Sequence, residues 1–159
     1  MKQARVKLLQ SMPLFGGASQ RTLEFLIDLA DMRSLGAGEF FFHEGEDATS
    51  MFVLEQGRVS ISKQWNGHPH LIKQLKQGDC FGEMALLDLY PRSASVMAVE
   101  PCRAIELTQS ILLKLYEYDI EQFTLIQMNI GREISRRLRL ADDQLFRSKF
   151  GPQIESAGE

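Results

Sequence analysis

The sequence predicts an α+β protein: an eight-stranded antiparallel β-roll of the jelly-roll type, flanked by N-terminal helices and a long C-terminal helix. Three observations predict it. Residues 32–107 contain short apolar runs separated by turn residues. Asn66-Gly67 is a strong signal for a β-hairpin between two of these runs. Apolar residues recur at helical spacing before and after this stretch, so helices are expected on both sides of the roll.

Composition limits the function classes. The chain has 159 residues, and we expect residues 1–159 to form one domain with a substantial core. The net charge is −3 and 44% of the residues are hydrophobic, which favours neither nucleic acid nor an anionic membrane as a partner. No apolar run has the character of a secretory signal or a membrane span. Cys80 and Cys102 are too few for a disulfide scaffold, so we expect a cytoplasmic protein.

The N-terminal part, residues 1–31, is predicted to be helical. A short apolar set ends at Pro13, and Ser19 is the expected N-cap of a second helix. The roll follows over residues 32–107. Its strands are predicted at 32–35, 40–43, 51–56, 58–64, 69–75, 80–81, 94–99 and 102–107.

Residues 108–150 are predicted to be helical again, with residues 151–159 as a tail. Thr108 and Asp119 are the expected N-caps of two helices. The second helix carries an apolar stripe that is too long to cover only this small roll: Ile126, Ile130, Ile134, Leu138, Ala141 and Leu145. Either the whole helix folds back onto the roll, or its far half pairs with another chain. We favour a homodimer through this helix.

Residues 81–96 are the stretch around which the chain is organised. They are predicted to form a strand end, a short helix that Pro91 stops, and the start of another strand. The N-terminus of a helix offers unpaired N–H groups to an anion, and Arg92 adds a forked donor for two phosphate oxygens. Glu83 accepts hydrogen bonds, which suits a ribose hydroxyl. The segment therefore either binds a ribose phosphate or closes a loop through an internal Glu83–Arg92 salt bridge.

The run F-G-E-M-A-L-L-x-x-x-P-R-S-A-S-V at residues 81–96 resembles the phosphate-binding cassette of the cyclic nucleotide-binding domain family. That family includes catabolite activator proteins and the regulatory subunits of protein kinase A. The resemblance implies that Glu83 binds the ribose 2′-hydroxyl and that Arg92 binds the cyclic phosphate. It also implies that the other ligand-binding positions of the cassette are Gly82, Met84, Ala85, Ser93 and Ala94.

The identity of the base is less strongly indicated. Where the catabolite activator branch contacts adenine with Thr-Ser, this chain has Ala141-Asp142. Asp142 could accept a hydrogen bond from an exocyclic amino group, and Arg136 or Arg139 could stack on the base. Ser93 goes with cGMP in eukaryotic members but coexists with cAMP in the bacterial branch. The resemblance thus favours cAMP over cGMP.

The sequence as a whole predicts a cyclic nucleotide sensor and not an enzyme. It contains no nucleophile–base motif and no P-loop, so no catalytic residues are assigned. We expect bound nucleotide to draw in the C-terminal helix and to signal through that movement to a separate partner protein. The residues after the long helix are too few for a helix-turn-helix, so we do not expect the chain to read DNA alone.

Two alternatives use the same fold class. The first is a nucleotide-independent interaction module that binds a partner through the long helix. The second is a cupin-like metalloenzyme, suggested by His68-Pro69-His70. Residues 71–76 supply no carboxylate ligand, and His43 is the only other histidine in the sequence. We therefore expect no metal, and no cofactor apart from the cyclic nucleotide ligand.

Overall fold

The computed structural model describes residues 1–157, and over that range the order is helices, strands and helices, as predicted. The N-terminal elements are α1, Lys2–Gln10, a short 3-10 helix, Pro13–Phe15, and α2, Gln20–Leu29. Ser19 caps α2, because its side chain accepts a hydrogen bond from the backbone N–H of Thr22. This confirms the predicted start of the second helix.

Eight strands follow within the described residues: β1 Asp31–Leu35, β2 Phe40–Phe42, β3 Ser50–Gln56, β4 Arg58–Trp65, β5 His68–Lys76, β6 Cys80–Phe81, β7 Ser95–Ala98 and β8 Cys102–Thr108. They form two four-stranded sheets, of order β1-β8-β3-β6 and β2-β7-β4-β5, and every pairing is antiparallel. Asn66 and Gly67 both have positive φ between β4 and β5, as a tight hairpin turn requires. The predicted eight-stranded roll is confirmed.

The first sheet is covered on both faces, which explains its strongly apolar strands. On β3, Phe52 and Leu54 belong to the core that the two sheets share. Met51 and Val53, which alternate with them, belong to a second core formed with the helices. The helices therefore pack on the outer face of this sheet, and side chains of the strands form the core between the two sheets.

Two helices complete the described chain: α3, Gln109–Tyr118, and α4, Ile120–Ala157. Both begin at the predicted caps, since Thr108 accepts from the N–H of Ile111 at 3.2 Å and Asp119 accepts from the N–H of Gln122 at 3.1 Å. In contrast to the prediction, α4 continues past residue 150 to Ala157, because a helix once formed lengthens without a new nucleation step. The last residues of the predicted tail, 158–159, lie outside the described residues.

The apolar stripe of α4 divides into two parts. Ile126 and Ile130 are buried, and Ile134 packs partly against the same core. Farther along the helix, Leu138 and Leu145 are 61% and 57% exposed. The first part of α4 therefore covers the roll, whereas Leu138 and Leu145 in the second part are uncovered. No helix within residues 1–157 combines the length and the apolar content that crossing a membrane requires.

Candidate ligand-binding site

The cassette, residues 81–96, follows the predicted course. β6 ends at Phe81, and Gly82 turns the chain with a φ of 77°. One short 3-10 helix then runs from Glu83 to Leu86. The chain continues without regular structure until β7 begins at Ser95. The positive φ explains the glycine at position 82, because other residues reach this conformation only at a cost.

Arg92 lines the cleft beside the cassette and is only 8% exposed. Its Nη2 donates to the carbonyl oxygen of Ser50 at 2.8 Å, and its Nη1 donates to that of Gly82 at 3.4 Å. The guanidinium carbon lies 3.9 Å from the centre of the Phe42 ring. Its Nε is buried and has no acceptor among the described residues. Arg92 is thus a buried cation whose Nε–H donor is unused.

The positive charge of Arg92 has no directly paired carboxylate. Burial lowers the pKa of its guanidinium, and the nearby carboxylates of Glu106 and Glu46 oppose that lowering. Glu106 accepts a hydrogen bond from the hydroxyl of Ser50 at 2.9 Å and from Nε of Arg33 at 2.6 Å. The ion pairs among the described residues do not include Arg92. The site is therefore suited to an anion that approaches from the cleft.

Glu83 is the second charged group of the cassette and is 3% exposed. Its carboxylate accepts a hydrogen bond from Arg137, which reaches it from α4. The alternative of an internal Glu83–Arg92 salt bridge is wrong, because Arg92 instead contacts backbone carbonyl groups and Phe42. One ion pair thus joins the cassette to the C-terminal helix.

One cleft is lined by all the residues predicted to hold the nucleotide: Gly82, Glu83, Met84, Ala85, Arg92, Ser93 and Ala94. The second sheet adds Ile61, Leu75 and Val96 to the lining, together with the cation Lys73. Cys80 also lines the cleft, and burial raises the pKa of its thiol. Charged groups on one part of the lining and aliphatic side chains on another suit a ligand with an anionic end and a flat apolar end.

The residues predicted to contact the base lie elsewhere on α4. Arg136 donates to Glu133 of its own helix at 2.5 Å, and it lines a separate groove together with Arg139. Asp142 is exposed. In this position of α4 none of Arg136, Arg139 and Asp142 lines the cleft. Their contacts with a base stay predictions.

Arg137 is the cleft residue that the sequence analysis did not single out. It lies three residues after Ile134 and seven after Ile130, which places it on the face that α4 turns toward the roll. Arg136 lies about 100° away around the helix, which explains why it points elsewhere. A cation on the apolar face of a helix indicates that it has a partner in the protein. The structure identifies that partner as Glu83.

The histidines are separated in the structure. His68 and His70 are exposed residues of β5, whereas His43 follows β2 at the opposite edge of the same sheet and contacts Glu46 at 3.0 Å. Over residues 1–157 there is no group of three His, Cys, Asp or Glu side chains that could hold a metal ion. The geometry therefore offers nothing in favour of the cupin-like alternative.

Known proteins share this fold and this segment. A family model described as the cyclic nucleotide-binding domain matches residues 32–119. The chain is 34% identical to cGMP-dependent protein kinase 2 of Homo sapiens over 94 residues, which cover 58% of this chain and 12% of the kinase. It is 30% identical to the cyclic AMP receptor protein of Thermus thermophilus over 134 residues, which cover 84% of this chain and 60% of that protein.

A solved structure agrees with these matches. The catabolite activator protein of Thermus thermophilus superposes with a TM-score of 0.77 and 29% identity, over 87% of this chain and 63% of that one. The chain spans less than two thirds of the length of each of these relatives. The similarity therefore covers the domain that they share with this chain and not their whole length.

The close packing around Gly82 yields a first prediction. A Cβ atom at Gly82 would lie 2.6 Å from Nη1 of Arg92, so Gly82→Ala must displace the guanidinium in addition to straining the backbone. Gly45→Ala is the matched control, because Gly45 has a similar positive φ of 88° and no atom within 4 Å of the added Cβ. We expect the control to lower the free energy of unfolding by about 1–2 kcal/mol and Gly82→Ala to lower it by more. Urea denaturation measures both, and equal losses would contradict the close contact.

Proposed function

The chain belongs to the cyclic nucleotide-binding domain family, and from that premise we propose that it senses a 3′,5′-cyclic nucleotide, with cAMP preferred to cGMP. One observation carries the proposal: Arg92 is buried, bears no ion pair among the described residues and keeps an unused Nε–H donor. Burying a charge without a partner is costly, and a phosphate in the cleft would supply both the missing charge and the missing acceptor. We assign the cyclic phosphate to Arg92.

The remaining cassette residues would hold the sugar. Glu83 is buried and acceptor-only when ionised, so a ribose 2′-hydroxyl is a suitable donor to it. Ser93 can donate through its hydroxyl to a phosphate oxygen. The backbone N–H group of Met84 lies in the first turn of the short helix and favours an anion nearby, whereas that of Ala85 donates to the carbonyl oxygen of Gly82 at 3.1 Å. The small side chain of Ala94 leaves room for the ligand, and Gly82 leaves room for the Arg92 guanidinium.

Adenine is the proposed base. The relatives include a cyclic AMP receptor, 30% identical over 84% of this chain, and a cGMP-dependent kinase, 34% identical over 58% of it, so the preference for adenine rests on the resemblance to the catabolite activator branch. The aliphatic lining from Ile61 and Leu75 accepts either purine. Discrimination between adenine and guanine would have to come from polar side chains that α4 brings to the base. The candidates are Arg136, Arg139 and Asp142.

We propose that α4 transmits the signal. Arg137 holds the Glu83 carboxylate, and the side-chain amide of Gln109 at the start of α3 donates to the carbonyl oxygen of Ala85. Both C-terminal helices thus touch the cassette. A ligand hydroxyl that takes up part of the hydrogen-bonding capacity of Glu83 changes the contact with Arg137, and with it the preferred position of α4. In this proposal the response passes to a separate protein that contacts α4.

The same helix is the proposed site of homodimerisation. Its second part exposes large apolar side chains: Leu138, Leu140, Leu145, Phe146 and Phe150. Such side chains on one long helix favour pairing with another helix, and a second copy of the chain supplies an identical one. This exposed surface also favours the second candidate function, a nucleotide-independent interaction module.

We assign neither enzymatic activity nor a nucleic-acid partner to the chain, and we propose that it is located in the cytoplasm.

The proposal is tested by isothermal titration of the protein with cAMP and with cGMP. We expect binding of micromolar affinity or better, stronger for cAMP. Arg92→Ala should weaken it roughly tenfold to a few hundredfold, because a charge-assisted hydrogen bond contributes about 1.5–3 kcal/mol. Arg33→Ala is the control, since Arg33 is a half-exposed arginine that contacts Glu106 and does not line the cleft. Absence of binding to both nucleotides would overturn the sensor function and leave the interaction module.

The role of Arg137 is tested by hydrogen exchange of α4 with and without cAMP. Arg137→Ala removes the contact with Glu83, whereas Arg147→Ala removes only an exposed contact with Asp143 of the same helix. We expect Arg137→Ala to raise exchange in α4 of the free chain roughly tenfold and to abolish the change that cAMP causes. Arg147→Ala should behave as wild type. Equal behaviour of the two variants would exclude Arg137 as the coupling residue.

Sedimentation equilibrium tests the dimer. We expect the wild type to dimerise and the double variant Leu138→Glu, Leu145→Glu to be monomeric, because two charges per helix would face each other in an apolar contact. Leu113→Glu provides the control, since Leu113 is a 62% exposed leucine on α3. A monomeric wild type, or a dimer that survives the double substitution, would refute pairing through α4.

A further inference from the structure

An aromatic ring covers one face of the Arg92 guanidinium. The guanidinium carbon lies 3.9 Å from the centre of the Phe42 ring, and Phe42 itself is 8% exposed. A cation above an aromatic face is attracted by the ring quadrupole, and the attraction is larger when water is excluded, as it is here. The N–H groups of the guanidinium lie in its own plane, so this contact leaves them free to donate.

An irregularity in β2 directs the ring of Phe42 toward Arg92. Phe40 pairs with Met97 and Phe42 pairs with Val96, so β2 has one residue more than β7 across this interval. As a result the consecutive residues Phe41 and Phe42 both contact Phe52 and Phe81, which a regular strand would not allow. The aromatic cluster packs against the ring of Phe42, and one face of that ring is left for the Arg92 guanidinium.

The edges of the guanidinium are fixed by the neighbouring strands. Nη2 donates to the carbonyl oxygen of Ser50 on β3, and Nη1 donates to that of Gly82 after β6. A Cβ on Gly82 would come within 3.5 Å of the Phe42 ring as well as 2.6 Å from Nη1, so these three residues enclose the guanidinium closely. Two carbonyl groups and one ring thus define its plane and its rotation, and the Nε–H is left without an acceptor among the described residues.

We propose that Phe42 is a positioning residue, whose ring holds the Arg92 guanidinium in one orientation so that it meets a phosphate diester with its free N–H already placed. This inference rests on the proposed function for the identity of the anion. Phe42 touches Arg92 and also lines the cleft, so a readout without nucleotide is needed to separate its hold on Arg92 from a contact with the ligand. Without the ring, the side chain would have to be ordered when the ligand binds, and that ordering would weaken binding roughly two- to tenfold.

The test compares Phe42→Leu with Phe52→Leu. Both changes remove one buried ring from the same cluster, but the only ring stacked on Arg92 within the described residues is that of Phe42. Phe42→Tyr retains an aromatic face and is the conservative variant. Thermal unfolding of each variant establishes that it folds and reports how much stability the loss of a ring removes.

The first readout needs no nucleotide. Protons above an aromatic ring resonate upfield, so the side-chain Nε–H signal of Arg92, assigned by its loss in Arg92→Lys, should lie upfield in the wild type. We expect the signal to move downfield in Phe42→Leu and to keep its position in Phe52→Leu and Phe42→Tyr. An unchanged signal in Phe42→Leu would overturn the positioning role, whatever the protein binds.

The second readout is the ratio of affinities for the two phosphorothioate diastereomers of cAMP, in which sulfur replaces one or the other exocyclic oxygen. An oriented guanidinium distinguishes them, so Phe42→Leu should lower the ratio and weaken cAMP binding two- to tenfold, whereas Phe52→Leu should change stability alone. Equal ratios in the two leucine variants would overturn the inference. A wild type that binds no cyclic nucleotide would overturn the proposed function, and the nucleotide-free readout would still decide whether Phe42 holds Arg92.

Discussion

The organisation of this domain depends on the burial of one guanidinium group. Arg92 is 8% exposed, and a buried charge is tolerated only where the surrounding groups replace what water supplied. Two backbone carbonyl groups accept hydrogen bonds from the guanidinium, and an aromatic ring covers one of its faces. The carboxylate of Glu106, which is hydrogen-bonded to Ser50, compensates part of the positive charge. These groups hold the cation without neutralising it, and that combination keeps the cleft ready for an anion.

The pairing of β6 with β3 supplies the two carbonyl groups that this burial requires. β6 is only two residues long, yet its pairing with β3 brings Gly82 next to Ser50, so that both carbonyl groups face one guanidinium. The chain then turns into the short helix, which presents Glu83 toward α4. The Glu83–Arg137 ion pair therefore joins the cleft to α4. In the mechanism we propose, a ligand that changes the partners of Glu83 changes the balance between positions of the helix, and a partner that binds the helix changes the affinity for the ligand.

Local chemistry was sufficient to predict much of this from the sequence. The caps at Ser19, Thr108 and Asp119, and the turn at Asn66-Gly67, depend on neighbouring residues only, and all were correct. The course of residues 81–96 was also predictable, because glycine and proline limit the backbone there.

What could not be predicted are contacts between residues distant in sequence. The choice of Arg137 over its three arginine neighbours depends on which face of α4 meets the roll. The stacking of Phe42 on Arg92 depends on an extra residue in β2 that no local pattern reveals. The pairing of Glu83 with α4, and not with Arg92, likewise depends on how the helix packs.

The most direct test of the central claim follows the Arg92 guanidinium itself while cAMP is added. If a buried, unpaired cation is the anion site of this domain, its side-chain N–H resonances should shift downfield to a saturable limit as the phosphate oxygens become acceptors. 5′-AMP, which carries the same base and sugar with an open phosphate, should cause a smaller effect at the same concentration. Resonances that stay in place while cAMP binds would mean that the nucleotide is held elsewhere, and the buried charge of Arg92 would then have only a structural role.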